Sequence, residues 1–143
     1  MNQTPMTLAL ALCGALAAAS PLSAEETPPV PVPPVMAEVG ADGVQRATII
    51  LDSYSYTPNH LIVQAGKPVE LTLTRATLIT PHNFLLKAPD AGLDIEEDVG
   101  HSEPTKVRFT PTKPGIYTFY CDRKLLFFKS HREEGMEGRL EVR

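Results

Sequence analysis

Cysteine is scarce in this 143-residue chain, which has two. The first, Cys13, lies in a segment where Leu8 to Ala19 form a short apolar run and Ser23-Ala24 offer small residues before Glu25. That arrangement reads as a secretory signal peptide over residues 1–24, cleaved near Ala24, although its n-region MNQTPMT lacks Lys and Arg. Leu10 to Cys13 has only a faint look of a lipoprotein box, because Leu12 stands where a small residue belongs. The apolar run is too short for a comfortable membrane span. The expected mature protein is periplasmic, has no membrane span, and keeps Cys121 as its one cysteine. One thiol cannot close an intramolecular disulfide, so a disulfide-stapled scaffold is excluded and a free thiol in an oxidising compartment needs another explanation.

Positive charge is scarce too. Lys and Arg number 13 against 17 Asp and Glu, for a net charge of −4. With no basic block and no basic amphipathic helix, nothing points to nucleic acid or a membrane surface as partner. Long helical periodicity is also missing. "EETPPVPVPPVM", residues 25–36, holds five of the 14 prolines and reads as an extended tether, with the tether as a whole covering 25–44. Beyond it the pattern has period two. In "PVELTLTRA" Val69, Leu71 and Leu73 alternate with polar residues; "HNFLLK" puts His82, Phe84 and Leu86 on one face; "IYTFYC" does the same for Tyr117, Phe119 and Cys121. Turn signals at "AGKP" and "PTKPG" separate these runs. The expected fold class is all-β, an antiparallel sandwich over residues 45–143. Two long segments, 88–105 and 122–135, do not fit neat strands and are the places to look for function.

The chemistry gathers near the C-terminus. Cys121 ends an aromatic strand, His131 follows after nine residues, and Met136 comes five positions later. A thiolate and two imidazoles with a weak thioether form a donor set suited to copper in both its oxidation states. A second imidazole must come from elsewhere, and His82, at a strand start after Pro81, is the natural donor. Taken singly, each residue has a plainer reading: Cys121 as a packed thiol, His82 as a satisfied structural histidine, Met136 as loop packing. A Cys121 nucleophile with His131 or His82 as base is chemically feasible, but no motif supplies an oxyanion site or an orienting partner. His60 and His101 read as surface residues, and "DIEED", residues 94–98, as a solvated loop.

"PHNF", "GIYTFYC" and "SHREEGM", together with "VQAGKPVELTL" ahead of them, resemble the cupredoxins, the type 1 copper family of plastocyanin and azurin. The resemblance spans about residues 45–143. It implies a Greek-key β-sandwich holding one copper ion, with His82, Cys121 and His131 as equatorial ligands and Met136 as the axial one. It also implies that Asn83 hydrogen-bonds toward the cysteine loop, and that His131 is the solvent-facing ligand through which electrons leave. Two departures stand out. The Cys–His loop is long, with "LLFF" (Leu125 to Phe128) expected to pack against the sandwich or shield the site, and Asp122 follows the cysteine where Ser or Thr is common. These departures leave a blue or a green site open. The implied function is one-electron transfer by a monomeric non-enzyme to a partner such as a c-type cytochrome. The alternative is copper tolerance, sequestering or oxidising periplasmic copper, because the extended loop resembles that of some proteobacterial cupredoxins. Four histidines in all are too few for a multicopper oxidase.

Overall fold

A computed structural model describes Met1 and residues 32–143. The expected signal peptide and the first part of the tether lie outside the described residues. Eleven strands follow: β1 (Val35–Met36), β2 (Glu38–Val39), β3 (Gln45–Asp52), β4 (Ser55–Thr57), β5 (His60–Val63), β6 (Val69–Arg75), β7 (His82–Ala88), β8 (Leu93–Val99), β9 (Thr105–Phe109), β10 (Gly115–Tyr120) and β11 (Glu137–Val142). A single 3-10 turn, Pro89–Ala91, is the one helical element among the described residues.

The strands form two sheets. One runs β1-β5-β11-β10-β7-β8, the other β2-β3-β6-β9 with β4 added on β3. The sandwich agrees with the period-two reading, but its pairing is mixed. β3 lies parallel to β6, and β5 is parallel to both β1 and β11. Strand periodicity cannot reveal this, because alternation reports which face is buried and not which way the neighbour runs. The parallel pair arises because the chain leaves β3, passes through β5 in the other sheet, and returns to pair as β6. The end of the expected tether also enters the fold. Val35 and Met36 pair with Leu61 and Ile62, Glu38 and Val39 pair with Arg46 and Gln45, and Ala37 between them is buried.

Alternation gives the core directly. Ile49 and Leu51 of β3 and Val69, Leu71 and Leu73 of β6 point inward, against Leu61, Val63, Phe84, Leu86, Phe119, Leu140 and Val142 of the facing sheet. β7 departs furthest from alternation. His82, Asn83, Phe84, Leu85 and Leu86 are all buried in succession, so this strand is covered on both faces.

An aromatic cluster lies beneath the far end of β10. The Tyr56 ring meets Phe119 edge-on at 5.1 Å and Phe84 at 6.1 Å, while Phe84 and Phe119 stack at 5.1 Å. The Tyr56 hydroxyl donates to the Asn83 carbonyl at 2.9 Å, so the buried phenol is satisfied. Phe119 has room only because its cross-strand partner is Gly138. A Cβ at 138 would stand 2.2 Å from the Phe119 ring. Gly138→Ala should therefore push Phe119 out of its rotamer and destabilise the apo protein by about 1–3 kcal/mol, read as a fall in the denaturant midpoint at unchanged slope.

Candidate metal centre

β7 starts at His82 and pairs antiparallel with β10 through Leu86↔Phe119 and Leu85↔Tyr120. The pairing brings the start of β7 beside the end of β10, where Cys121 sits. The Asn83 backbone N–H donates to Cys121 Sγ at 3.5 Å. The long loop after Cys121 then returns His131 to the same place. His131 Nδ1 is 3.3 Å from Sγ and His82 Nδ1 is 4.0 Å from it, with the two imidazole centroids 5.0 Å apart. Their potential ligand atoms all lie within 4.8 Å of one another. Cys121 and Met136 are fully buried, and His82 and His131 are 2% and 3% exposed.

Burial governs the protonation of this group. It pushes the Cys121 thiol up, opposed by the N–H groups of Asn83 and Arg123. Burial, and then the charges of His131 and Arg75, hold His82 down at about 4. Burial alone lowers His131. Both imidazoles are thus neutral at ordinary pH, with nitrogen lone pairs free to bind. Arg123 nearby favours the thiolate, but burial outweighs it, and a metal ion bound directly to the sulfur would supply the missing positive charge. Two imidazole nitrogens and a sulfur, with a fully buried methionine in the same loop, suit copper by softness and count.

Each donor is held from behind. His82 Nε2 lies 3.2 Å from Thr77 Oγ1. With the ring hydrogen on Nε2 and donated to that hydroxyl, Nδ1 keeps its lone pair toward Sγ. Thr77 belongs to the loop between β6 and β7, which Arg75 fastens by donating to the carbonyls of Thr80 (2.5 Å), Leu78 (3.2 Å) and Val99 (3.3 Å). Asn83 ties the two segments together. Its Nδ2 donates to Asp122 Oδ1 at 2.7 Å, and the Asp122 N–H returns a bond to Asn83 Oδ1 at 3.1 Å. The acidic residue after the cysteine is therefore the acceptor that orients the Asn83 amide. Main-chain bonds shape the loop itself: His131 N–H to Arg123 O at 2.8 Å, Met136 N–H to His131 O at 2.8 Å, and Cys121 N–H to Met136 O at 3.2 Å.

Three expectations are corrected. Residues 94–98, expected as a solvated loop, lie in β8, which pairs antiparallel with β7 and buries Leu93, Ile95 and Val99. Leu125 to Phe128 neither pack on the sandwich nor shield the site; they are 55–100% exposed. His131 is not solvent-facing. Tyr54, in the turn between β3 and β4, sets its ring against the imidazole at 5.3 Å and 76°, and covers it. Ser53 beside it has φ +34°, which turns Tyr54 out of the alternation that carries Tyr56 inward. Nothing in the sequence "SYSY" announces that turn. Thr77 and Arg75 also escaped sequence reasoning, since a threonine in a loop and an arginine at the end of a strand carry no signal of their own. His60 stands apart, 3.0 Å from Glu141 Oε2 on the neighbouring strand, and His101 is exposed in the β8–β9 loop.

Comparison with known proteins gives a consistent picture. The cupredoxin-like domain family matches residues 7–135, ending one residue before Met136. No curated protein sequence matches the chain. Among solved structures, the metal-binding domain of the Cu(I)-exporting P-type ATPase CopA of Streptococcus pneumoniae D39 is 27% identical, with a TM-score of 0.60 over 78% of this chain and 96% of that one. Auracyanin A, a "blue" copper protein of Chloroflexus aurantiacus, is 19% identical at TM-score 0.54, over 71% of this chain and all of that one. A multicopper oxidase is 16% identical at TM-score 0.57, over 74% of this chain and 45% of that one. The last two share the fold alone. The fold family and the His82, Cys121 and His131 cluster support one copper ion.

Because Thr77 is the partner of the distal His82 nitrogen, Thr77→Val should weaken copper binding by about tenfold while leaving apo stability nearly unchanged. Competition against a chelator of known affinity measures the first, and thermal unfolding the second.

Proposed function

Since the chain belongs to the cupredoxin-like domain family, we propose that it is a periplasmic copper protein for one-electron transfer, with Nδ1 of His82, Nδ1 of His131 and Sγ of Cys121 as equatorial ligands and Met136 as the weak axial one. The observation that carries this reading is the convergence of two neutral, buried Nδ1 atoms on one buried sulfur, at 3.3 and 4.0 Å. Copper bound there would supply a one-electron couple. The chain's own part is to hold the donors still. Cys121 and His82 are fixed by paired strands, and the loop carrying His131 and Met136 is fixed by its own main-chain bonds. Donors set in place before the metal arrives need little rearrangement between oxidation states, and the near-complete burial of the group excludes water.

A second reading, copper handling, is favoured by a specific likeness: the structure with 27% identity and TM-score 0.60 is a domain of a Cu(I) exporter with Cu(I) bound. The covered His131 supports the same reading, because the expected exit for electrons lies under Tyr54. An enzymatic role for Cys121 has little support. Its thiol is pushed up by burial, not down as a nucleophile requires, and it faces two imidazoles with no carboxylate orienting either. The partner would be a c-type cytochrome in the first reading and a copper-handling protein in the second. No helix among the described residues is long and apolar enough to cross a membrane.

The copper-loaded protein should show a strong thiolate-to-copper absorption near about 600 nm, with added intensity near about 450 nm if the site is green. Cys121→Ser should abolish both bands. A copper-loaded wild-type protein with no strong visible band would overturn the assignment. Rapid electron self-exchange would then favour the carrier, whereas slow exchange with tight retention of Cu(I) against a chelator would favour copper handling.

A further inference from the structure

The nine residues between Cys121 and His131 build a finger whose apolar tip the copper site does not use. Lys124 and Ser130 face each other in an antiparallel bridge that closes its neck. Beyond the neck the chain turns tightly: the Phe128 N–H donates to the Leu125 carbonyl at 3.0 Å, and Leu126 adopts φ +50°. At the tip stand four successive large apolar side chains, Leu125, Leu126, Phe127 and Phe128, exposed by 55%, 73%, 100% and 70%. A run of this kind on a surface is unfavourable unless something covers it. Lys124 and Lys129 flank the tip on either side, and neither forms an ion pair among the described residues. The nearby carboxylate of Glu133 is bonded to the amide and hydroxyl of Ser130, and its charge, felt by both lysines without an ion pair, offsets part of theirs. A second exposed apolar pair, Leu78 and Ile79, stands in the loop that leads to His82.

We propose that this finger is a membrane-surface anchor: the Leu125–Phe128 tip enters the headgroup and upper acyl region of an anionic bilayer, while Lys124 and Lys129 stay at the phosphate level. Three observations favour lipid over a protein. The four side chains leave a single tight turn and are all exposed, so one flat protein face cannot meet them all, whereas a fluid interface closes around them. They offer on the order of 500 Å², short of the roughly 800 Å² per side of a stable dimer. Lysines beside a short apolar insertion are the arrangement that suits anionic headgroups. The whole chain carries a net charge of −4, so attachment depends on the tip, with the two lysines adding a modest salt dependence. Because His131 directly follows the finger, attachment would hold the candidate metal centre close to the bilayer.

The test uses the folded protein and vesicles of phosphatidylethanolamine and phosphatidylglycerol. Wild type should co-sediment with them, and F127S/F128S should do so at least fivefold less while melting at the same temperature. The chain contains no tryptophan, so F127W gives a clean probe whose emission should shift to the blue on adding vesicles. Wild type left in the supernatant, equal sedimentation of F127S/F128S, or an unshifted F127W would overturn the proposal. So would a finger-dependent dimer in sedimentation velocity without vesicle binding.

Discussion

The antiparallel pairing of β7 with β10 is the constraint from which the candidate metal centre follows. Leu86↔Phe119 and Leu85↔Tyr120 fix the register, and the register sets Cys121 beside the Asn83 N–H. A slip of one residue would turn Cys121 and His82 to opposite faces and leave no site at all. The aromatic cluster of Tyr56, Phe84 and Phe119 packs against this pairing, and the Tyr56 hydroxyl holds the Asn83 carbonyl on the far side of the same peptide segment. The site is thus an outgrowth of the core rather than an addition to the surface.

The four proposed donors divide into two kinds by their support. His82 opens β7, and Cys121 directly follows β10. His131 lies within the loop after Cys121, Met136 closes that loop directly before β11, and the bonds from His131 to Arg123 and from Met136 to His131 hold the loop between them. The bond from the Cys121 N–H to the Met136 carbonyl joins the two kinds. The reciprocal Asn83–Asp122 pair does the same from the outside. Asp122 departs from the common residue type, and here its Oδ1 accepts from the Asn83 amide. Its carboxylate is a stronger acceptor for the Asn83 amide than a neutral oxygen.

Much of this was legible in the sequence, and the reasons for the rest are physical. Alternation in "PVELTLTRA" and "IYTFYC" marks inward faces because a strand's side chains have period two, so the core and the sandwich followed. The donor types could be picked out because a lone cysteine, a histidine and a methionine in one short segment have few joint explanations. Strand direction was not legible, since β3 and β6 become parallel neighbours only through the path of the chain. Nor were Thr77, Arg75 and Tyr54. Each acts through where the chain's path places it, and neither a hydroxyl in "RATLIT" nor a phenol in "DSYSY" announces a histidine as its neighbour. The exposure of Leu125 to Phe128 was missed for the opposite reason: apolar residues are ordinarily buried, and here a closed neck keeps them from reaching the sandwich.

That closed neck has a consequence for how such a protein can change. The Lys124–Ser130 bridge, with the His131 N–H bound to the Arg123 carbonyl behind it, seals the finger off from the residues on either side. Among the described residues, Leu125 to Lys129 make no hydrogen bond to His82, Cys121, His131 or Met136, so the tip can be regarded as an interchangeable cassette. It can lengthen, shorten or change character over generations while the geometry at its base is inherited intact. A lineage could acquire a new address for an old centre by mutating five residues, Leu125 to Lys129, and leave its chemistry untouched.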